Sequence, residues 1–186
     1  MDITETLYVT TREEWRDWLT ANFNTKPEIW LISYRKHTGR PSIPYNSAVE
    51  EALCFGWIDS IRKGIDRERT AQRFSPRKPG SSYSQTNKER LACLICAGKV
   101  ILSVMESIGD IRPEDYKIPD DILSALQSNE EALLFFLTTS PSYQRIRTAY
   151  IDVARKRPAE FNKRLDHLID MSAKGKQFGY GIENYY

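Results

Sequence analysis

The hydrophobic period of this chain changes near residue 108, and that change does most to limit the folds open to it. Before it, Glu28-Ile-Trp-Leu-Ile-Ser-Tyr34 is apolar on both faces, the pattern of a strand in the middle of a sheet. Thr11 and Glu14 have capping-box spacing, and Trp15, Trp18, Leu19 and Phe23 follow at helical period. Leu7-Tyr8-Val9 reads as a short strand. Ser47 and Glu50 repeat the box spacing ahead of Val49, Ala52 and Leu53, and Gly56 ends that helix before a strand from Trp57. A turn near Lys63 to Arg67 returns the chain through Thr70 to Ser75 as a hairpin partner. Ser84 caps a further helix to about Ala97, with Gly98 as its stop, and Val100 to Ile108 continues as apolar helix.

After Pro119 only the helical period remains, over roughly 119–127, 130–137, 141–155 and 158–174. Pro141 and Pro158 suit first helical positions and Ser140 suits a cap. The expectation is therefore α+β. A small mixed or antiparallel sheet with covering helices occupies residues 1–108, and an all-helical segment over 109–186 follows. Gly179 to Tyr186 reads as a frayed aromatic tail. A chain of 186 residues is long enough for one domain, or one with a helical extension, to bury a core.

Charge singles out one stretch. From Arg62 to Lys78 there are seven Lys/Arg against two acids, a local +5 in a chain that totals +2. Basicity gathered beside aromatics is the footprint of an anionic partner, a small molecule or a nucleic acid. Prolines bracket Pro76-Arg77-Lys78-Pro79, and the helix start at Ser84 offers amide donors near Asn87. Trp57 and Tyr83 supply stacking faces. Asp59, alone among apolar neighbours at a strand start, needs a counter-ion, and Arg73 on the partner strand, or Arg62, is expected to provide it. The expected ligand-binding set is Trp57, Asp59, Arg73, Arg77, Lys78, Tyr83, Ser84 and Asn87.

Other chemistries find little support. Cys93 and Cys96 have CxxC spacing inside a helix, with no second pair and no histidine nearby, so neither zinc nor another metal is expected. With Cys54 they are expected to be buried, reduced thiols. His37 sits in a turn without acids or cysteines at ligand spacing. No nucleophile stands at useful spacing from a base, no phosphate-cradling glycine loop occurs and no cofactor is implied. No apolar run of about 18 residues occurs to span a membrane, and the first fifteen residues lack the pattern of a signal peptide. A cytoplasmic location is expected.

Glu50-Glu-Ala-Leu-Cys-Phe-Gly-Trp-Ile-Asp-Ser60, Gln72-Arg-Phe-Ser-Pro-Arg-Lys-Pro79, Ser84 and Asn87 resemble the YdeI/OmpD-associated, bacteriocin-protection family. So do Ser140-Pro141-Ser142-Tyr143, Ala154, the basic run 155–157 and Gly175-Lys176, and the resemblance extends from about Leu7 to Lys176. Tyr150 departs from it, where a tryptophan is expected, as does Ala159-Glu160-Phe161. The family name implies tolerance of envelope-active peptides and association with a porin, and brings no catalytic residues. The expectation is a non-enzymatic binding protein of stress or bacteriocin tolerance with an anion-binding loop. The alternatives are a small-molecule enzyme using Asp59 and Arg73, and a protein-interaction module working through the C-terminal helices. There, from Pro141 to Lys176, nine basic residues stand against four acids.

Overall fold

Thr11 and Glu14 form the capping box their spacing predicts. The Thr11 hydroxyl accepts from the Glu14 amide at 3.2 Å while the Glu14 carboxylate accepts from the Thr11 amide. The helix they start, α1 (Arg12–Asn22), turns Trp15 and Leu19 fully inward. A computed structural model of the protein describes residues 2–109 and 111–179. Asp110 and the tail from residue 180 lie outside the described residues. The chain falls into two compact units, Met1–Ser82 with Cys93–Asp110, and Tyr83–Ala92 with Ile111–Tyr186. The first ten residues of that latter grouping precede residue 108, so the grouping is not one cut along the chain.

The first unit is built on a four-stranded mixed sheet, in the order β1 (Thr6–Leu7), β2 (Ile29–Tyr34), β4 (Arg69–Pro76), β3 (Trp57–Gly64). β1 runs parallel to β2, and the other pairs are antiparallel. β2 is interior, as its two-sided apolarity requires. On one face Trp15 stacks on Trp18 at 5.3 Å and tilts against Phe74 at 5.5 Å, while Trp57 meets Trp18 edge-on. On the other, Trp30, Ile32 and Ala71 are buried, with the Lys63 ammonium over the Trp30 ring.

Two local expectations fail here. Helix α2 (Tyr45–Cys54) starts directly after Pro44, so Ser47 lies inside its first turn and cannot cap it. Glu50 and Glu51 are instead buried against α1. Arg12 pairs with both, and Arg16 with Glu51 at 2.8 Å. Gly56 then holds φ +71°, and a Cβ there would meet the Val104 side chain at 3.2 Å, so glycine is required between α2 and β3. The stop expected at Gly98 holds, and the second failure is the apolar character of the helix expected after it. Gly98 takes φ +64°, the Lys99 amide bonds back to Leu94, and the helix α3 (Gln85–Cys96) stops. The next helix, α4 (Leu102–Ile108), buries only Val104 and leaves Leu102 70% exposed.

The thiols correct a third expectation. Cys54 is buried, but Cys93 and Cys96 are exposed. α3 turns Leu91 and Leu94 inward, and the i,i+3 spacing of the cysteines puts both on the opposite stripe.

The second unit is helical: α5 (Asp120–Gln127), α6 (Glu130–Thr138), α7 (Pro141–Asp152) and α8 (Pro158–Ala173). Pro141 and Pro158 occupy first-turn positions and the Ser140 hydroxyl caps Tyr143 at 3.1 Å, as read from the sequence. Ile122, Leu126, Ala132, Phe136, Ile151 and Leu168 form its core. Glu89, 5% exposed, accepts from the Arg145 guanidinium at 2.6 and 3.0 Å, from Ser142 and from Gln85. Among the described residues no helix is long and apolar enough to cross a membrane.

Candidate functional site

Strand register decides the fate of the expected Asp59–Arg73 pair. Asp59 stands opposite Phe74, and residues opposite one another share a face of the sheet. Arg73, one residue earlier, points to the other face, opposite Trp30 on β2. There its guanidinium holds Glu28 at 2.7 Å and reaches Ser60 and Ser75. Thr4 and then Arg73 hydrogen-bond the Glu28 carboxyl and hold it below the usual carboxylate range. Asp59 accepts instead from the Tyr45 hydroxyl at 2.7 Å, and Arg62 turns to the Thr70 hydroxyl. The pocket wall of Asp59 with Arg73 does not exist.

The other predicted residues are placed as follows. Trp57 is 1% exposed, with its indole N–H on the Phe23 carbonyl, so it offers no stacking face to a ligand. In the first unit, Arg77 folds back onto the Ser81 and Ser82 carbonyls at 2.9 and 3.0 Å, and Lys78 is exposed. In the second, Tyr83 is half-buried, Ser84 caps α3 by accepting from the Asn87 amide at 3.3 Å, and the Asn87 side chain accepts from Arg90.

A different constellation gathers in the second unit. On α7, Arg147 and Tyr150 are three residues apart; on α8, Glu160, Lys163, Arg164 and His167 recur at three and four. Each set shares a helix face, and together they line a cleft of about 660 Å³. Gly175, at φ +65°, reverses the chain after α8, and Phe178 returns to close one side. Its ring lies 4.5 Å from His167 and 5.2 Å from the Arg147 guanidinium, and its amide donates to the Tyr143 hydroxyl.

Arg147 is only 8% exposed, with the Tyr143 and Tyr150 rings each 5.9 Å away. Arg164 lies 3.8 Å over the Tyr150 ring and donates to the Tyr150 carbonyl and to Glu160, at 2.6 and 2.7 Å. That bond holds the Glu160 carboxyl below its ordinary range. Among the described residues three permanent cations and one carboxylate line the cleft, a formal +2 with histidine counted as uncharged. Tyr150 and Glu160 sit at the two places where the sequence departs from the family pattern.

Residues 7–106 match the model of a family described as a domain of unknown function, DUF8412, over more than half of the chain. The chain belongs to this family. Residues 115–175 match a second model, described as bacteriocin-protection, YdeI or OmpD-associated. The block from Glu50 to Asn87 lies within the DUF8412 match, while the cleft residues from Arg147 to His167 lie within the bacteriocin-protection match. No curated protein and no solved structure matches the chain.

Proposed function

We propose that this DUF8412 protein is a non-enzymatic cytoplasmic binding protein, and that the cleft of α7 and α8 holds an anionic small molecule. The observation that carries this is the net +2 of that cleft, set against aromatic rings that keep Arg147 from bulk water. Coulombic attraction is worth several times more at such a site than at an exposed loop. Glu28 already neutralises Arg73, and Arg77 is spent on its own loop, which leaves the 76–79 loop the weaker anion site. Among the described residues no serine, threonine or cysteine lines the cleft. Exposed Cys93 and Cys96 suit a reducing compartment. The match over 115–175 suggests that binding serves bacteriocin tolerance.

Melting curves with inorganic phosphate and sulfate test this. A saturable rise in Tm is expected, because a ligand that binds only the folded state stabilises it by mass action. Lys163→Glu, at an exposed position, should abolish the rise, and the double variant Arg77→Ala/Lys78→Ala should retain it. The reverse pattern would return the site to the loop, and no rise in the parent protein would sink both readings.

A further inference from the structure

Resting on the reading of this cleft as an anion site, we infer that its ligand is a phosphate monoester carried on an aromatic ring, as in a nucleoside monophosphate. Charge comes first. A phosphate monoester is close to a dianion at neutral pH, its second ionisation lying near pH 6. It matches the net +2 of Arg147, Lys163 and Arg164 less Glu160, whereas a carboxylate would neutralise half of it. Two arginines beside a lysine are also the side chains that phosphate recognition favours.

Glu160 sets the upper bound. It is held by Arg164 on the same face as Lys163, so a triphosphate would bring added charge against a fixed carboxylate. The volume, about 660 Å³, falls within the range of pockets that hold drug-sized ligands and exceeds what an inorganic ion needs. Aromatic walls account for the remainder. Tyr150 is 47% exposed, Arg164 covers one face of its ring, and a base stacked against the part of the ring left open gains roughly tenfold or more in affinity.

Titration calorimetry on the full chain with AMP, adenosine, inorganic phosphate and ATP decides the matter. AMP should bind at least tenfold more tightly than adenosine or phosphate, and ATP more weakly than AMP. Tyr150→Leu should remove most of the preference of AMP over phosphate while phosphate affinity stays. Lys163→Glu, which leaves the ring site untouched, should weaken both. A 5′-phosphorylated dinucleotide that binds like AMP supports phosphorylated nucleic-acid ends as a source, and binding of AMP alone supports the free nucleotide. If phosphate binds as tightly as AMP, the aromatic part is overturned and the anion site stands. If no anion binds, the reading beneath it falls first.

Discussion

Glu89 shows what one buried carboxylate demands. Burial alone would raise its pKa, but hydrogen bonds from Arg145, Gln85 and Ser142, with the Arg145 charge, outweigh that and hold the carboxyl below its ordinary range. A group depressed in the folded state stabilises fully above its unfolded pKa, near 4.3, and loses that contribution as pH falls through the folded value. Stability measured by urea denaturation should therefore decline below about pH 4.3. Arg145→Met should cost about 3 kcal/mol at pH 7, since it strands a buried charge, and should flatten the acid-side decline. None of this was legible in the sequence, because Glu89 and Arg145 are far apart in the chain and nothing local pairs them. Asp59 teaches the converse. Its need for a partner could be read from its apolar neighbours, but which arginine shared its face depended on a register that no local pattern fixes.

Elements were more legible than their faces. Pro141, Pro158, Ser140 and the Thr11–Glu14 box fixed helix starts because each acts through its own backbone neighbours. α2 escaped that logic when Pro44 began the helix ahead of its apparent cap. The outward stripe of α3 was missed because Cys93 and Cys96 were read by residue type, when Leu91 and Leu94 had the stronger claim on the core. That stripe makes a direct prediction. Iodoacetamide should modify two thiols rapidly in the native protein and the third only on unfolding, scored by intact mass. The slow one is Cys54, whose thiol is pushed up to about 11, first by burial and then by Glu51, so little thiolate forms near neutrality.

At the scale of the whole molecule, the α+β class followed from the change of hydrophobic period, since the sheet-forming runs all lie before it. The cleft did not follow. Arg147, Lys163 and Arg164 were visible as part of a basic segment, and that segment pointed to a protein-interaction module. Their three- and four-residue spacings with Tyr150 and His167 were the available signal. If the cleft is the site, hydrogen exchange with and without AMP should slow chiefly in α7 and α8, leaving the β2 and β4 amides unchanged. Slowing centred on residues 76–87 instead would favour the basic loop. The sheet offers a different account of that basicity. β3 is an outer strand, a backbone edge on which other chains can zip. A shift of register between Asp59 and Arg62 breaks its regular spacing, and Lys63 follows Arg62. Like charges on such an edge repel the same edge of a second copy, so basicity that looks like an invitation to anions also opposes edge-to-edge pairing.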